Sequence, residues 1–205
     1  MNRKMLDLCS GLGGASEAML NHGWEVARIE NNPLLQMVPN TTIMSIQQLR
    51  DDIKSQLSAG VKPADIELVW ASPPCIDFSL GYHSPRSKAI RAGEDYYPAY
   101  GIELVQICKE IIDMLQPRYW MIENVRGAIQ YLEPILGPPK MIIDSIVIWG
   151  KFPSFAMPPD YKHVKDDSKW SNDPLRANAR ALIPYEVSNA IRQSIEAQKT
   201  LTYWF

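Results

Sequence analysis

The chain lacks the features that would place it in several special classes of protein. No uninterrupted apolar run approaches the roughly 20 residues that a membrane-spanning helix needs. The basic N-terminus, residues 1–4, is not followed by the long apolar stretch of a secretory signal. The three cysteines, an odd number without regular spacing, predict neither a disulfide framework nor a zinc site. We therefore expect an intracellular, cytoplasmic protein in a reducing setting, with no membrane contact and no metal.

The chain also lacks an excess of either charge. Its 21 basic and 23 acidic residues give a net charge of −2, so a strongly basic coat for nucleic acid is absent, although local basic patches are compatible with this balance. Apolar residues make up 46% and charged residues 21% of the 205, an ordinary globular composition that argues against global disorder. This length predicts one domain, or one domain with a small appendage.

Apolar periodicity predicts an alternation of strands and helices over residues 1–150. Strand-like runs lie at residues 5–8, 24–29, 66–71, 119–122 and 142–149, and helical spacing covers residues 15–21, 46–57 and 102–115. Strands separated by helices predict an α/β fold, a mostly parallel, doubly wound sheet with helices on both faces. Residues 151–182 are rich in proline and charge, which predicts an irregular segment for recognition or linkage. For residues 183–205 we expect a C-terminal helix that packs back on the first 150 residues.

A glycine-rich stretch separates the first predicted strand from the first helix. It reads Asp7-Leu8-Cys9-Ser10-Gly11-Leu12-Gly13-Gly14, and Glu30 follows the next strand. Glycines let a backbone turn tightly and approach a ligand, and an acid at this distance can accept hydrogen bonds from ribose hydroxyls. Because the spacing G-x-G-G differs from the dinucleotide fingerprint, the pattern favours a nucleoside ligand without a pyrophosphate. A simple tight turn is the alternative.

A free thiol follows a rigid Pro-Pro pair at the end of another strand. Pro73 and Pro74 would hold Cys75 at the carboxyl edge of the sheet, where ligands bind in open α/β folds. A small buried core residue is the alternative for such a cysteine. Residues 79–98 combine glycines, tyrosines and cations, which predicts a loop that closes over a nucleic-acid strand; a solvated surface loop is the alternative. The nucleic-acid contacts expected from this loop are Ser79, Arg86, Lys88 and Arg91.

An acid and an amide follow a further strand. Glu123 and Asn124 come directly after the apolar run 119–122. If this strand neighbours the one before Cys75, the Glu123 carboxyl can hydrogen-bond and protonate a heterocycle beside the thiol. A turn or a helix cap is the alternative for such a pair.

Taken in order, these motifs resemble the cytosine-C5 DNA methyltransferases. The glycine stretch is similar to the family's Asp-Leu-Phe-Ser-Gly run, residues 73–79 to its Pro-Cys nucleophile motif, and Glu123-Asn124-Val125 to its Glu-Asn-Val motif. The resemblance covers roughly residues 4–130, and residues 183–191 are faintly similar to the last family motif. It implies a Rossmann-like fold in which residues 1–150 form a catalytic domain that binds S-adenosylmethionine (SAM), with DNA as the substrate.

The resemblance also implies roles for individual side chains. Cys75 would add to C6 of a cytosine flipped out of the DNA, Glu123 would protonate N3, and Asn124 would shape the pocket. Arg126 is the expected source of further positive charge in the catalytic site. The residues expected at the SAM site, beside the glycine stretch from Asp7 to Gly14, are Glu30, Asn31, Ser45, Ile46, Pro73 and Leu104.

Departures from the family pattern leave alternatives open. Ile76 stands for the usual glutamine, Cys9 for phenylalanine and Ser45 for the aspartate expected near the adenine, and no clean Gln-x-Arg-x-Arg motif is present. Only 80 residues follow Val125, which predicts a compact member without a full target-recognition domain. The alternatives are an RNA cytosine methyltransferase and a non-catalytic subunit that binds SAM or nucleic acid and needs a partner subunit for recognition.

Overall fold

The computed structural model describes residues 3–163 and 172–202. The strands are β1 (Lys4–Leu8), β2 (Glu25–Glu30), β3 (Thr41–Ile43), β4 (Leu68–Ala71), β5 (Tyr119–Val125), β6 (Met141–Ile143) and β7 (Ile146–Lys151). The helices are α1 (Gly14–Asn21), α2 (Ile46–Ser58), α3 (Pro85–Ala92), α4 (Ala99–Leu115), α5 (Ile129–Leu136), α6 (Arg176–Arg180) and α7 (Tyr185–Thr202). Single 3-10 turns span Pro33–Leu35 and Arg126–Ala128.

All seven strands form one sheet in the order β3-β2-β1-β4-β5-β7-β6. The first five strands of this order pair in parallel, whereas β7 is antiparallel to both of its neighbours. The order reverses between β1 and β4, as it does in doubly wound folds, which leaves a crevice outside the carboxyl ends of these strands. The predicted α/β fold with a mostly parallel, Rossmann-like sheet is therefore confirmed.

Helices cover both faces of the sheet, which gives one core on each face. The side chains of each strand alternate between these two cores. In β4, Val69 packs in the core beneath α2, α4 and α5, and the next residue, Trp70, packs in the core beneath α1 and α7. Both side chains are fully buried. A strand that is buried on both faces reads as a continuous apolar run, which is why β4 was recognisable from its sequence.

Helix α7 packs against α1 through hydrogen bonds as well as apolar contacts. The Ser188 hydroxyl donates to the Ala15 carbonyl at 2.9 Å and accepts from the Ala18 amide at 3.1 Å. The Trp24 indole donates to Glu196 Oε1 at 3.0 Å. The C-terminal helix expected within residues 183–205 thus lies on the first part of the chain, and residues 203–205 lie outside the described residues.

Several elements differ from the sequence predictions. The predicted strand 142–149 is a hairpin of β6 and β7, which turns at Asp144 with a positive φ of 51°. The predicted loop 79–98 contains α3, which begins where the Ser84 hydroxyl accepts from the Ser87 amide and ends at Gly93 with φ 69°. The hairpin was predicted as one strand because apolar residues lie on both sides of its short turn. Helix α3 was missed because polar residues interrupt its apolar spacing. In the range 151–182, predicted to be irregular, α6 occupies residues 176–180, and residues 164–171 lie outside the described residues.

Among the described residues, none of the helices has both the length and the apolar character required to cross a membrane.

Candidate active site

The predicted motif loops lie together at the carboxyl edge of the parallel strands. The glycine stretch follows β1, Glu30 ends β2, Cys75 follows β4, and Glu123 lies near the end of β5. Strands β2, β1, β4 and β5 are consecutive neighbours in the sheet. In the strand register, Asp7 pairs with Trp70, and Ala71 pairs with Ile122. Distant parts of the chain therefore meet at one edge, where doubly wound sheets bind ligands.

Left-handed backbone conformations and a carboxylate shape the loop after β1. Gly11 and Gly13 have φ values of 54° and 81°, and Cys9 adopts φ 55° without being glycine. The Gly11 amide donates to Glu30 Oε2 at 2.8 Å, while Glu30 Oε1 accepts from the Asn31 and Asn32 amides, both at 2.9 Å. Since each carboxylate oxygen has two acceptor positions, Oε2 can hold the loop and still accept from a ligand hydroxyl.

A buried polar network supports this loop from below. The Ser16 hydroxyl donates to Asp7 Oδ2 at 2.6 Å, and Arg28 Nε donates to the Ser16 oxygen at 2.8 Å. Arg28 Nη2 also donates to the Gly13 carbonyl at 3.0 Å. A Cβ on Gly13 would lie 2.6 Å from the Arg28 guanidinium carbon, so glycine is required there for space as well as for φ. The network joins β1, α1 and β2 through their side chains.

Asp7 is the titratable centre of that network. Its carboxyl group is fully buried, and burial raises its pKa to about 7 although the Ser16 hydrogen bond and the Arg28 charge act to lower it. Within the described part of the chain, Asp7 Oδ1 and the Ser10 hydroxyl have no hydrogen-bond partner. Sequence reasoning selected Asp7 but missed Ser16 and Arg28. The only signal for Arg28 was a cation on the inward-facing side of an alternating strand.

Other residues predicted at the SAM site occupy the surrounding framework. Ser45 caps α2, because its hydroxyl accepts from the Gln48 amide at 3.1 Å. Leu8, Ile46 and Leu104 are buried in the core beneath α2, α4 and α5, while Leu12 is half-buried. The Ser45 hydroxyl therefore has a structural partner already, and the three buried residues support the site from its core.

The end of the chain reaches the same loop. A Cβ on Gly14 would collide with the Ile183 carbonyl, so α1 begins directly against the residues before α7. A Cβ on Gly11 would lie 3.8 Å from Asn178 Nδ2, which places α6 beside the glycine loop. Sequence reasoning missed Asn178, since it lies in a range without periodicity and its contact spans the whole domain.

Cys9 also contacts the core helix α4. Two causes raise the pKa of Cys9 well above its usual value. The larger is a hydrogen bond between the Cys9 and Cys108 thiols, and the next is burial. This thiol is therefore kept protonated, and it packs against the apolar core where the family pattern has phenylalanine.

The turn that carries Cys75 is anchored on its N-terminal side by an amide. Cys75 is half-buried, and its carbonyl accepts from the amides of Phe78 and Ser79, both at 3.0 Å. Asn124 is fully buried, and its Nδ2 donates to the Pro73 carbonyl at 3.1 Å. Asn124 therefore links the strand that carries Glu123 to the loop that carries the thiol.

The same turn is anchored on α4 by residues that sequence reasoning missed. Asp77 Oδ2 accepts from the Gly101 amide at 2.9 Å, in the first turn of α4, where a carboxylate is favoured by the helix dipole. The Phe78 ring is fully buried, and a Cβ on Gly101 would lie 2.9 Å from it. The turn is thus docked on α4 by one hydrogen bond and one buried ring.

Glu123 and Arg126, two of the three predicted catalytic side chains that follow Cys75, have different settings. Glu123 is half-buried in β5, paired in register with Ile148 of β7. Arg126 is exposed, and its Nε donates to the Asp144 carbonyl in the turn between β6 and β7. The structure thus ties the Arg126 guanidinium to the hairpin.

The four predicted nucleic-acid contacts divide into two pairs. Lys88 and Arg91 are exposed on α3, and Arg91 donates to the Tyr82 carbonyl at 2.8 Å. Ser79 and Arg86 face the protein instead, with the Ser79 hydroxyl accepting from the Gly81 amide at 3.0 Å and Arg86 bound to main-chain carbonyls. Only the first pair presents its cations to solvent.

A cleft opens beside the Cys75 turn. Its volume is about 430 Å³, and its lining includes Leu80, Arg86, Arg126, Gly127 and Ile129. Apolar side chains next to it are exposed, with 59% of Ile76, 61% of Leu80 and 69% of Tyr82 accessible to solvent. Exposed apolar groups around a cleft with two arginines are typical of a binding surface.

Comparisons with known proteins support the family resemblance of the sequence. The model of the C-5 cytosine-specific DNA methylase family matches residues 3–132. A protein of Frog virus 3 (isolate Goorha) named "Probable DNA (cytosine-5)-methyltransferase" is 28% identical over 128 residues, which are 59% of this chain and 53% of that protein. "Type II methyltransferase M.AquIA" of Picosynechococcus is 26% identical over 144 residues, 64% of this chain and 52% of that protein. The chain thus spans about half the length of these curated relatives.

Among solved structures, the chain is similar to the SAM-dependent methyltransferase from Agrobacterium tumefaciens. The sequence identity is 13%, the TM-score is 0.43, and the match covers 74% of this chain and 56% of that one.

Proposed function

Because the chain belongs to the C-5 cytosine-specific DNA methylase family, we propose that it transfers a methyl group from SAM to C5 of cytosine in DNA. The observation that carries this proposal is the hydrogen bond from Asn124 Nδ2 to the Pro73 carbonyl. It joins the loop of the Cys75 thiol to the strand of the Glu123 carboxyl, so that a nucleophile and an acid lie at the same edge of the sheet. The chemistry of cytosine methylation needs both groups.

The glycine loop suits SAM as the methyl donor. SAM, when bound, supplies an electrophilic methyl group. The buried Asp7 Oδ1 and the Ser10 hydroxyl have no partner among the described residues, and the left-handed glycines let a ligand approach the main chain. Glu30, at the end of β2, would hold the ribose hydroxyls. Pro73 would line the methyl-donor side, next to the loop of the thiol.

Cys75 and Glu123 would act on the cytosine ring together. Cys75 Sγ, as a thiolate, forms a bond to C6 while Glu123 gives a proton to N3, and the electron pair of the C5–C6 double bond becomes available at C5. C5 would then form a bond to the methyl carbon as the bond between that carbon and the SAM sulfur breaks, which would leave S-adenosylhomocysteine as the neutral thioether. Loss of the C5 proton to a base restores the double bond, expels the Cys75 thiolate and returns the N3 proton to Glu123. In this sequence Asn124 positions the thiol loop and does not transfer a proton.

The substrate base must leave the stack before this chemistry can occur. In a duplex, C6 of cytosine lies between neighbouring bases, out of reach of a thiol fixed on a protein edge. The exposed side chains of the Cys75 turn, Ile76, Leu80 and Tyr82, would contact the nucleotides next to the extruded base. Lys88 and Arg91, which face solvent on α3, would contact phosphates.

The proposal is tested by transfer of a labelled methyl group from SAM to cytosine-containing DNA, with Cys75→Ala alongside. We expect label at cytosine, located by bisulfite sequencing, and its complete loss in the variant while SAM binding by calorimetry stays intact. An oligonucleotide with 5-fluorocytosine should form a covalent adduct with the unmodified protein only. Adducts and label on RNA but on no DNA would overturn the choice of substrate. SAM binding without transfer to any nucleic acid would overturn the proposed catalysis.

A further inference from the structure

The Cys75 turn touches the 3-10 turn Arg126–Ala128, which directly follows the strand that carries Glu123. Gly127, four residues after Glu123, lies so close to the Cys75 turn that a Cβ on it would collide with the Phe78 carbonyl. The same Cβ would lie 3.0 Å from Nη1 of Arg86. This close approach makes Phe78 and Gly127 the second contact between the two loops, after the contact of Asn124 with Pro73.

Arg86 bridges the two loops at this contact. Its Nη1 donates to the Phe78 carbonyl at 3.1 Å and to the Gly127 carbonyl at 2.8 Å. The guanidinium carbon lies 5.2 Å from the centre of the Tyr131 ring on α5, so the planar group is held on a third side by a cation–π contact. A guanidinium has several donors in one rigid plane, which suits such a bridge better than the single ammonium of lysine.

The bridge acts on the turn that begins at the thiol. The Phe78 amide donates to the Cys75 carbonyl at 3.0 Å, and the Phe78 ring is fully buried, so restraint of the Phe78 carbonyl restrains the Cys75 backbone. Asn124 restrains the residue before the turn at Pro73, and Arg86 restrains its end. The thiol loop is therefore held to the strand and loop of Glu123 on both sides.

We propose that Arg86 is a positioning residue that sets the Cys75 thiol relative to the Glu123 carboxyl. This inference rests on the proposed function, because it concerns the geometry of the same reaction. Arg86 does not contact the reacting atoms; it acts through the Phe78 and Gly127 carbonyls. A displacement of about 1 Å between reacting groups can slow a reaction about 100-fold, so loss of the bridge affects the chemical step and leaves substrate binding nearly unchanged.

The test compares Arg86→Gln and Arg86→Lys with Arg91→Gln. Arg91 is a matched comparison because it lies on the same helix, donates to one carbonyl and covers one ring, that of Tyr82 at 4.1 Å. It bridges no loops. For Arg86→Gln we expect kcat and the rate of 5-fluorocytosine capture to fall about 10- to 100-fold, with KM for DNA and the affinity for SAM changed less than about threefold. Arg91→Gln, at a proposed phosphate contact, should instead act through a higher KM for DNA.

Arg86→Lys keeps the charge, and its ammonium has three donors that can still bond to one or both carbonyls, but it lacks the rigid planar group. We expect a loss of kcat smaller than that of Arg86→Gln, with a melting temperature close to that of the unmodified protein. A rise in KM alone, or unchanged rates, would overturn the inference. The inference would also be overturned if both variants lost rate together with a lower melting temperature and a loss of SAM binding. Arg86 would then serve only to stabilise the fold. Absence of transfer by the unmodified protein would instead overturn the proposed function.

Discussion

The two loops of the candidate site are held in different ways. The glycine loop rests on a buried network of charged and polar side chains, centred on Asp7, Ser16 and Arg28. The Cys75 turn is held mainly through its main-chain carbonyls, by the side chains of Asn124 and Arg86. One loop is therefore stabilised by a buried network of charged and polar side chains, and the other by side chains that bond to its main-chain carbonyls.

This difference predicts different consequences of substitution. Buried charges affect the free energy of unfolding, because an unpaired charge inside a protein is strongly destabilising. Hydrogen bonds at the edge of a cleft contribute less to stability, but they decide where the thiol lies. Substitutions near the glycine loop should therefore change stability and its pH dependence, and substitutions near Cys75 should change rate.

The largest expected effect is on rate, from Glu123→Gln. Without an acid at N3, the proposed addition of the thiol loses general acid assistance, and we expect kcat to fall about 100- to 10,000-fold. The melting temperature and the affinity for SAM should change little, because Glu123 lies on the thiol side of the site. Stopped-flow capture of 5-fluorocytosine measures the step directly. A rate within about tenfold of the unmodified protein would contradict the assignment of Glu123 as the acid.

The next effect is on stability, from Arg28→Met. The variant removes the donors to Ser16 and Gly13 and the positive charge near Asp7, so we expect the free energy of unfolding to fall by about 3 kcal/mol in urea titrations. Lys54→Met is the matched control, because Lys54 forms an exposed ion pair with Glu110 at 3.1 Å. Its effect should stay below about 1 kcal/mol. Equal effects of the two variants would remove the distinction between the buried network and an ordinary surface ion pair.

The last prediction concerns the pH dependence of stability contributed by Asp7, an effect comparable in size with that of Arg28→Met but spread over about three pH units. The pKa of Asp7 is about 7 in the folded protein against an ordinary value of 3.8. Between these values the unfolded chain releases the proton while the folded protein retains it, so stability falls as pH rises and levels off above pH 7. From pH 4.5 to 7.5 this group alone lowers the free energy of unfolding by about 3 kcal/mol.

Asp7→Asn isolates that contribution, since the amide does not titrate and can still accept from Ser16. Urea titrations at several pH values should show the variant gaining stability relative to the unmodified protein as pH rises. Parallel profiles would show that Asp7 stays ionised in the folded protein and that Arg28 compensates its burial.

Much of the fold could be predicted because its signals are local. The strands β4 and β5 were recognisable as apolar runs, and α4 as a repeated apolar face, since periodicity depends only on neighbouring residues. Helix α3 was not, because its cations and serines are held by a cap at Ser84 and a left-handed Gly93, not by an apolar stripe. The hairpin of β6 and β7 was predicted as one strand, because its short turn at Asp144 lies between two apolar stretches that read as a single run.

The candidate site shows the same division. Asp7, Glu30, Cys75 and Glu123 could be selected because each stands in a short motif at the end of a strand. The partners that hold them could not be selected, because their contacts join distant elements. Arg28 of β2 bonds to Ser16 of α1, and Asp77 bonds to Gly101, 24 positions away. Arg86 was assigned to phosphates from its type alone, whereas its position shows it bound to two carbonyls.

By itself, the sequence determined the alternation of the main strands and helices, the glycine loop and the placement of a thiol and an acid after strands. Only the tertiary structure decided which strands are neighbours, which arginines face solvent and which side chains hold the thiol loop. The physical reason is range: local patterns select backbone conformation, whereas a bridge such as the one from Arg86 to Gly127, 41 positions apart, exists only after the chain has packed.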